Sequence, residues 1–511
     1  LSTLQNQSAW SRAVIIATPT TAYALAAHFD TSPEDQRPVG CLLTEPSLKQ
    51  PMLPVLGNIH ELETLHASKP FTLAIVSLPA SSVALWNTLR SRLKALKIET
   101  RRVPAIQDAL EAPAAFTPAH PEIDLVELIG RTPYGIDRRE VSRTIGGKRV
   151  LITGAGGSIG SEIARIAATF RPSELVLMER SENSLFEIDR QIARRFPDVP
   201  RRAVLHDVVD ADATLRHCVN LKPQVVFHAA AHKHVPLMED HPSHAVTNNL
   251  FGTKSIADAA HAVGAERFVM ISSDKAVNPT SVMGATKRLA EMYVQALHRQ
   301  SSMSGGRTSF SMVRFGNVLG SACSVLPIWG AQLAEGGPIT VTDPRMTRYF
   351  MTIHEAAMLV IQSAAIDARS HGAASVYVLD MGEPVRITDL ARRFITLSGL
   401  TPRLPNEQIS ESNNRTVDII YTGARPGEKL HEELAYAAEA LRPTPFAGIN
   451  AWTGTLPDGF DVASMVSEMS IVRTTPDKER VLEAIRRNVP EMREPEHGRG
   501  GANKPAEFVA A

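Results

Sequence analysis

Short apolar runs alternate with longer amphipathic stretches along most of this chain. In the first hundred residues the apolar runs are separated by helical periods, the clearest of which covers residues 23–29. Strands and helices in alternation are typical of a parallel α/β layer. The apolar runs cover residues 14–16, 39–43, 54–57 and 73–76.

The turn after the first apolar run carries no glycine. Its sequence is Ala17-Thr18-Pro19-Thr20-Thr21. Without glycine the backbone cannot closely approach the diphosphate of a dinucleotide. We therefore predict a degenerate Rossmann-like domain at residues 1–118 that binds no dinucleotide and serves as a structural or regulatory layer.

A second series of apolar runs begins after a proline-rich stretch at residues 104–121. These runs follow one another at the spacing of βα units, which predicts a doubly wound parallel sheet. They cover residues 149–152, 175–178, 203–205, 225–227, 268–271 and 311–313. The predicted fold class is therefore α/β, with a degenerate Rossmann-like unit followed by a complete one.

The predicted domain boundaries follow from these runs. Residues 119–147 form a linker, and residues 148–318 form the dinucleotide-binding Rossmann domain, which also carries the catalytic residues. Residues 319–450, whose pattern is more mixed, form a smaller α/β substrate-binding cap with parts that return to the sheet. Residues 451–493 form a helical segment. Residues 494–511, rich in Gly, Pro, Ala and charge, are expected to be a disordered tail.

Composition narrows the classes of partner. Lys+Arg and Asp+Glu both total 54 among 511 residues, so the net charge gives no reason to expect a nucleic acid. The cysteines Cys41, Cys218 and Cys323 lie far apart, and neither they nor His232 and His234 complete a metal-ligand set. No apolar run approaches the ~20 residues of a membrane-spanning helix. We expect a chain that is soluble as given, in a reducing compartment, without a metal ion.

A glycine-rich turn follows the run at residues 149–152. Its sequence is Thr153-Gly154-Ala155-Gly156-Gly157-Ser158-Ile159-Gly160, and it leads into a helical pattern. Glycine at 154, 157 and 160 permits a tight turn and close approach of backbone N–H groups to a diphosphate. Ser158 and Ile159 begin the helix, whose dipole favours an anion. This combination predicts a dinucleotide site.

Residues after the next two strands are assigned to the same cofactor. Glu179 closes the second strand and can accept both ribose hydroxyls of NAD, whereas the adjacent Arg180 leaves NADP open. Asp207 follows the third strand, with Val208 beside it, and can hold the adenine edge. An exposed turn aspartate explains Asp207 equally well.

Three motifs at later strand ends carry the candidate chemistry. Because the carboxyl ends of parallel strands meet at one edge of a sheet, all three should face one crevice. Within the first motif, Ala229 and Ala230 are expected to contact the cofactor. The motifs are His228-Ala229-Ala230-Ala231-His232-Lys233-His234, Ser272-Ser273-Asp274-Lys275 and Met283-Gly284-Ala285-Thr286-Lys287.

Together with Thr422-Gly423-Ala424-Arg425-Pro426-Gly427-Glu428-Lys429-Leu430, these motifs resemble the long-type UDP-N-acetylglucosamine 4,6-dehydratases of bacterial polysaccharide and glycan biosynthesis. These belong to the extended short-chain dehydrogenase/reductase superfamily. The resemblance covers residues 123–434, and the opening domain resembles the degenerate, CoA-binding-like module of the membrane-anchored branch. It implies NAD-dependent dehydration of UDP-N-acetylglucosamine to a UDP-4-keto-6-deoxy-N-acetylhexosamine, with retention at C5.

The same resemblance implies how the protein assembles and where it works. The family forms homo-oligomers, and its long branch works on the cytoplasmic side of the bacterial inner membrane. Membrane attachment would come from a segment that this sequence does not contain. The expected partner is therefore the nucleotide sugar, with neither nucleic acid nor a direct bilayer contact by these residues.

The resemblance also implies catalytic roles. Lys287 binds the nicotinamide ribose, Lys275 removes the C5 proton and Asp274 protonates the departing C6 hydroxyl. The family's tyrosine is replaced by Met283, whose thioether carries no proton, so Ser273 or Asp274 must take over part of its work. Lys275 can act as a base only where burial or nearby cations favour its neutral form, and Lys287 is the candidate cation.

The order of these residues creates a geometric difficulty. Asp274 and Lys275 would point to opposite faces of a straight strand. The strand must end before them if both are to reach one hexose, and Pro279 favours such an early end. Two simpler interpretations stay open: a solvated surface pair for Asp274 and Lys275, and core filling for Met283.

Six polar residues are assigned to the substrate side of the crevice. They are Lys233, His234, Asn249, Arg314, Asn317 and Arg425. Arg425 offers a guanidinium fork to a diphosphate, whereas Asn249 is expected to hold a helix and the backbone in place. Arg345 and Arg348 are equally well explained by a role in stabilising the cap. Cys323 stands near a position where the family favours glycine.

Two other functions stay open at the level of sequence. A UDP-sugar 4-epimerase returns the hydride to C4 and usually needs the tyrosine, so Met283 counts against it. A catalytically silent nucleotide-binding scaffold in a glycan assembly complex would not need Asp274, Lys275 and Lys287. A 4-keto-6-deoxy product would exclude both alternatives.

Overall fold

A computed structural model gives the fold. It describes residues 13–30, 37–45, 53–78, 82–103, 125–366, 376–405, 407, 416–436, 441–452, 454, 456 and 459–492. The chain divides into two compact units, Leu1–Pro118 and Ala119–Ala511. The whole of the proline-rich stretch at 104–121 and of the predicted tail at 494–511 lies outside the described residues.

In the described part of the first unit, strands and helices alternate as predicted. The elements are β1 Ala13–Ala17, α1 Pro19–Asp30, β2 Gly40–Leu43, β3 Val55–Asn58, a 3-10 turn Ile59–Glu61, α2 Leu62–Ser68, β4 Leu73–Ser77, α3 Val83–Ala95 and β5 Glu99–Arg102. The strands form one parallel sheet in the order β3-β2-β1-β4-β5. Val14 and Ile16 of β1 face one apolar core, and Ile15 and Ala17 face another. Burial on both faces explains why this run shows no polar alternation.

The second unit contains a larger sheet and several short ones. Its strands are β6 Arg149–Thr153, β7 Glu174–Glu179, β8 Arg201–Leu205, β9 Val225–His228, β10 Arg267–Ile271, β11 Ser309–Arg314, β12 Asn317–Leu319, β13 Ile339–Val341, β14 Thr347–Arg348, β15 Phe350–Thr352, β16 Val376–Leu379, β17 Val385–Arg386, β18 Thr401–Arg403, β19 Thr416–Tyr421, β20 Leu441–Pro443 and β21 Ile449–Trp452. Nine of these described strands form the main sheet, in the order β20-β21-β16-β11-β10-β9-β6-β7-β8.

The main sheet confirms the predicted fold class. From β8 to β16 all neighbours are parallel, and the order β8-β7-β6-β9-β10-β11 is that of a dinucleotide-binding Rossmann sheet. The strand order reverses between β6 and β9, where such folds bind their ligands. β16 returns from the cap to this sheet, as expected, and β21 and β20 extend it in antiparallel fashion.

Helices cover both faces of the main sheet and build the cap. The helical elements are α4 Leu125–Ile129, α5 Arg138–Ile145, α6 Ser158–Thr169, α7 Glu182–Arg195, α8 Ala211–Leu221, α9 Val235–Asp240, α10 Pro242–Ala245, a π-helical turn Val246–Phe251, α11 Gly252–Ala262, a 3-10 turn Asp274–Ala276, α12 Val282–Met303, α13 Val325–Ala334, α14 Ile353–Ser363, α15 Ile387–Leu397, α16 Val462–Val472 and α17 Lys478–Asn488. Among the described residues, no helix combines the length and the hydropathy needed to cross a bilayer.

The segment interpreted as a linker is folded where the structure describes it. In α4, Leu128 and Ile129 pack into the core of the cap, and in α5, Val141 and Ile145 pack into the core of the Rossmann domain. Apolar residues at helical spacing bury themselves wherever a partner face exists. These two helices therefore belong to the second unit.

Candidate active site

The glycine turn lies where the strand order of the main sheet reverses. Gly154 has a φ of 65°, and a Cβ on it would stand 2.7 Å from the backbone nitrogen of Ala230 at the end of β9. A Cβ on Gly160 would stand 2.1 Å from the carbonyl oxygen of Gly154. Gly157 caps α6 without a side-chain hydrogen bond, so the first N–H groups of the helix, at Ser158 and Ile159, have no side-chain cap. This arrangement fits a dinucleotide diphosphate.

The side chains predicted to hold the adenosine half lie along the neighbouring strand ends. Glu179, at the end of β7, accepts from the Gly156 N–H at 3.1 Å. Arg180 lies 3.8 Å from Asp207 and donates to Asn248 at 3.2 Å. Arg180 and Asp207 are both exposed, whereas Val208 is buried. The carboxylate of Glu179 therefore stands at the turn itself, and Arg180 is held to one side of it.

A buried histidine, His228, joins the two central strands; the sequence placed it in a motif but gave it no role. His228 Nδ1 lies 2.7 Å from the Thr153 hydroxyl, and Nε2 lies 2.9 Å from the Thr253 hydroxyl. Because Thr253 donates to the carbonyl of Asn249, His228 donates from Nε2 and accepts at Nδ1. Burial lowers the pKa of His228 to about 3. The neutral ring fixes the ends of β6 and β9 against α11.

The catalytic motif leaves the sheet as the sequence requires. β10 ends at Ile271, and Asp274 and Lys275 lie in a 3-10 turn that Ser273 caps. Asp274 Oδ1 accepts from the Ser273 hydroxyl at 2.8 Å and from Lys275 Nζ at 3.0 Å. The prediction that the strand ends before these residues is confirmed. Asp274 is fully buried, so the alternative of a solvated pair does not hold.

Lys275 lies among anions, which corrects the expectation for its protonation state. Its Nζ donates to Asn317 Oδ1 at 3.1 Å and lies 3.6 Å from a carboxylate oxygen of Glu432. Burial by itself lowers the pKa of Lys275. The negative charges of Asp274 and Glu432 raise it by more than burial lowers it, so the pKa of Lys275 lies above its usual value. The cation that opposes them is Arg348, not Lys287. The resting amine is an ammonium.

Lys287 has the opposite electrostatics. Its Nζ donates to the Ile271 carbonyl at 2.6 Å, and burial lowers its pKa to about 8. Met283, one turn earlier on α12, is buried in an apolar cluster with Leu289 and Met238. Core filling is therefore an observed property of Met283, whatever its relation to the substrate.

Two of the six predicted substrate residues are buried elsewhere. Arg314 is fully buried and donates to Glu291 at 2.6 and 2.8 Å, with its guanidinium 4.6 Å from the ring centre of Trp452. Its assignment to the substrate side is wrong, because its charge is already neutralised inside the protein. Asn249 is also fully buried; it pairs with both backbone groups of His232, which is the holding role expected of it.

The remaining cationic candidates gather near the rim of the crevice. Lys233 is exposed and donates to the carbonyl of Ala322 at 2.9 Å. Burial lowers the pKa of His234, and the charges of Lys233 and Arg425 lower it further, which shows that the three residues are neighbours. Arg425 is exposed and donates to Glu428. Asn317, the sixth candidate, accepts from Lys275 Nζ at 3.1 Å.

The loop at residues 320–324 has unusual backbone geometry. Cys323 has a φ of 55°, a conformation that favours glycine. The preceding Ala322 N–H donates to the Ser158 hydroxyl at 3.1 Å, so this loop also contacts the predicted cofactor site. Among the described residues, no group of His, Cys, Asp or Glu is arranged to hold a metal ion.

The glycine turn and the strand order define a dinucleotide-binding α/β protein, with a buried carboxylate–ammonium pair, Asp274 and Lys275, just after β10. The profile of the family described as polysaccharide biosynthesis protein matches residues 150–452, more than half of the chain. The chain belongs to this family.

Curated relatives show what kinds of protein the chain resembles. It is 51% identical over 317 residues to a probable polysaccharide biosynthesis protein, EpsC, of Bacillus subtilis, covering 61% of this chain and 49% of that protein. A UDP-N-acetylglucosamine 4,6-dehydratase (inverting) of Campylobacter jejuni is 31% identical, covering 56% of this chain and 77% of that protein. A UDP-glucose 4-epimerase of Rickettsia rickettsii is 30% identical, covering 58% of this chain and 80% of that protein. The chain thus spans about half the length of EpsC.

A solved structure shares the fold. The X-ray structure of Pen from Bacillus thuringiensis matches with a TM-score of 0.52 and 30% sequence identity, over 61% of this chain and 90% of that one. The match supports the Rossmann assignment of the second unit.

Proposed function

We propose that this protein dehydrates UDP-N-acetylglucosamine to a UDP-4-keto-6-deoxy-N-acetylhexosamine, with NAD as its cofactor. The supporting observation is the pair formed by Asp274 and Lys275, an acid and a base 3.0 Å apart at the carboxyl edge of the sheet that carries the glycine turn. Similarity to a Campylobacter 4,6-dehydratase favours this substrate class.

The residues that would hold NAD each contribute an interaction. The cofactor would take a hydride from C4 of the hexose and give it back at C6. The first N–H groups of α6 would bind the diphosphate, and Glu179 would bind the ribose hydroxyls and repel a 2′-phosphate, which favours NAD over NADP. Lys287 would donate to the nicotinamide ribose. Arg425 and Lys233, at the rim, would bind the substrate diphosphate.

The resting ion pair can generate both catalytic groups in one step. Transfer of a proton from Lys275 to Asp274 across their hydrogen bond yields a neutral amine and a protonated carboxyl, with no change in net charge. These are the forms that a base for C5 and an acid for the C6 hydroxyl require. The ammonium at rest is therefore compatible with the base role.

The elimination then returns the pair to its starting charges. Neutral Lys275 takes the C5 proton, the electron pair of that bond forms the C5–C6 double bond, and the C6–O bond breaks. Asp274 gives its proton to the departing hydroxyl, which leaves as water. The C4 hydroxyl proton leaves earlier through Ser273 to solvent, and the pair regains one proton from solvent at the end of the cycle. Lys275, whose ammonium hydrogens exchange with solvent, would then deliver a proton to the same face of C5, giving retention.

Product analysis in heavy water tests the proposed reaction. The full chain, loaded with NAD and given UDP-N-acetylglucosamine, should yield a product with a C6 methyl group, a C4 carbonyl and deuterium at C5. The coupling constants of H5 in the NMR spectrum report whether C5 is retained or inverted. A C4 epimer without a methyl signal would establish the epimerase alternative, which the Rickettsia relative favours and the tyrosine replacement at Met283 disfavours.

Replacement of Lys275, the proposed base, tests the same reaction by mutation. Lys275→Ala should lower turnover by at least about 10²-fold, because it removes the amine proposed to take the C5 proton. Bound NAD, measured by its absorbance after release, should match that of the wild-type protein, since the glycine turn is untouched. Full turnover by this variant would contradict the assignment of the base.

Two statements about assembly belong to the same proposal. We expect a homo-oligomer, which light scattering can establish. We also expect the complete protein to work at the cytoplasmic side of the bacterial inner membrane, where fractionation of cells expressing the full-length gene would locate it.

A further inference from the structure

Glu432 is a buried carboxylate that lies in the catalytic cluster. Its side chain is 3% exposed, and Oε1 lies 3.6 Å from Lys275 Nζ. It follows the Arg-Pro-Gly-Glu-Lys-Leu motif in the sequence, at a distance along the chain that gives no hint of contact with Lys275. The fold alone brings these two side chains together.

The backbone that carries Glu432 is firmly held. Arg348 donates to the carbonyls of Lys429 at 2.9 Å and Leu430 at 3.1 Å, and its Nε lies 3.8 Å from Glu432. The Thr347 N–H also donates to the Leu430 carbonyl, at 3.0 Å. The segment is thus fixed on β14 just before Glu432, so the carboxylate is presented to Lys275 in one position.

Each carboxylate in the cluster keeps one oxygen without a protein partner. Asp274 Oδ2 and Glu432 Oε2 are buried and have no hydrogen-bond partner among the described residues. Buried carboxylate oxygens are costly to leave unsatisfied, so such atoms mark places where a ligand group or a transferred proton belongs. In both residues the other oxygen faces the same ammonium.

We propose that Glu432 is a positioning residue for C5 deprotonation. It holds the amine of Lys275 in place and stabilises the positive charge that develops there as the C5 proton arrives. This inference rests on the proposed dehydratase function.

Glu432 is needed because Asp274 loses its negative charge during the proposed reaction. When Asp274 has taken a proton to serve as the acid, it no longer offers a negative charge to Lys275. Glu432 is then the remaining anion beside the amine, and it makes the amine a stronger base. Without it, the charge of Arg348, which opposes protonation of Lys275, would no longer be offset by Glu432.

The groups that set the protonation of this pair come from several elements. Lys275 is surrounded by Asp274 on its own turn, Asn317 on β12, Arg348 on β14 and Glu432. Tyr349, whose pKa is raised chiefly by burial, faces Asp274 from β14's end. Only Asp274 and Glu432 place negative charge within 4 Å of the amine among the described residues.

Replacement of the charge by an isosteric amide tests the role. In the full chain with bound NAD, Glu432→Gln should lower kcat by about 10- to 100-fold and slow C5 exchange in heavy water in parallel. The KM for UDP-N-acetylglucosamine should change by less than about threefold, because Glu432 acts after binding. Both limbs of the pH–kcat profile should move to lower pH, since loss of a negative charge lowers both apparent pKa values of the Asp274–Lys275 pair.

The neighbouring residue offers a matched control. Glu433 pairs with Asn278 and Lys429 and does not contact Lys275. Glu433→Gln should keep kcat within about twofold and leave the pH profile in place. Glu432→Asp, which keeps the charge, should recover part of the lost kcat and the wild-type profile.

The possible results separate this inference from the proposed function. If the wild-type protein makes no 4-keto-6-deoxy sugar, the proposed function fails and this inference fails with it. If the wild-type protein is active and Glu432→Gln keeps its kcat and pH profile, the inference alone is overturned. An equal loss in Glu433→Gln would also overturn it, because the effect would then belong to the segment rather than to the charge. If Glu432→Gln does not fold, Glu432→Asp decides the question: a wild-type pH profile would support the inference, and a profile moved to lower pH although the charge is kept would overturn it.

Discussion

Gly160 shows how one missing Cβ decides whether the cofactor turn can form. A Cβ there would lie 2.1 Å from the Gly154 carbonyl oxygen, which belongs to backbone and cannot turn aside. Gly160→Ala should therefore destabilise the protein by about 1–3 kcal/mol and abolish NAD retention. Thermal unfolding and the absorbance of released NAD measure the two effects.

Gly135, which has free space around it, provides the control for replacing a glycine by alanine where no clash results. A Cβ on Gly135 would meet no atom within 4 Å. Gly135→Ala should change the free energy of unfolding by no more than about 0.5 kcal/mol and leave NAD bound. Similar behaviour of the two variants would refute the steric explanation.

At the same scale, two lysines of one site differ because of their neighbours. Lys275 stands between two carboxylates and has a raised pKa, whereas burial lowers the pKa of Lys287 to about 8. The residue type is identical, so only the surrounding charges separate the roles. The sequence places both lysines in the predicted site, but it does not show which of the two has the lower pKa.

At the scale of elements, a buried ion pair joins α12 to β11. Glu291 accepts from Arg314 and from the Ser272 hydroxyl, and Arg288 lies 3.5 Å away. Burial raises the pKa of Glu291, but Arg314 and Arg288 outweigh it, so the pKa lies below the usual value. This stabilisation is present above the unfolded pKa of Glu291 and is lost as the pH falls through the folded pKa.

Removal of that charge should be costly. Glu291→Gln should lower the free energy of unfolding by about 3–5 kcal/mol, because it leaves Arg314 charged in the interior. Urea unfolding with circular dichroism measures the change. The exposed pair of Glu187 and Arg190 on α7 is the control, where Glu187→Gln should leave the unfolding midpoint unchanged. A midpoint for Glu291→Gln that equals the control would contradict a structural role for the pair.

At the scale of the whole molecule, the apolar cores fall into two sets. The described cores of the first unit contain only residues between 13 and 103, and those of the second contain only residues from 125 onward. Units with separate cores can fold independently. We therefore propose that the second unit contains everything that catalysis needs.

Truncation tests this proposal. A protein of residues 119–511 should fold cooperatively, retain NAD and form the same product as the full chain. Circular dichroism melting, NAD content and product NMR check the three properties. Aggregation of this protein, or loss of turnover with NAD still bound, would show that residues 1–118 are required.

Much of this organisation follows from local sequence patterns. The period of the apolar runs predicts the parallel strands, and the glycine spacing predicts the turn at Gly154, because both depend on residues that are close along the chain. The early end of β10 was also predicted, because Asp274 and Lys275 would point to opposite faces of a straight strand and the resemblance assigns both to one sugar. The folded segment at 125–145 was missed, because its partners lie far away in sequence.

The sequence by itself determined the fold class and the glycine turn, and it placed Asp274 and Lys275 together directly after β10. The tertiary structure decided which charged residues, distant in sequence, lie next to the site residues. Arg314, predicted on the substrate side, pairs with the buried Glu291 instead. Glu432, which is distant in sequence, lies beside Lys275. The physical reason is that backbone conformation is set over a few residues, whereas electrostatic interactions depend on distances that only the folded chain defines.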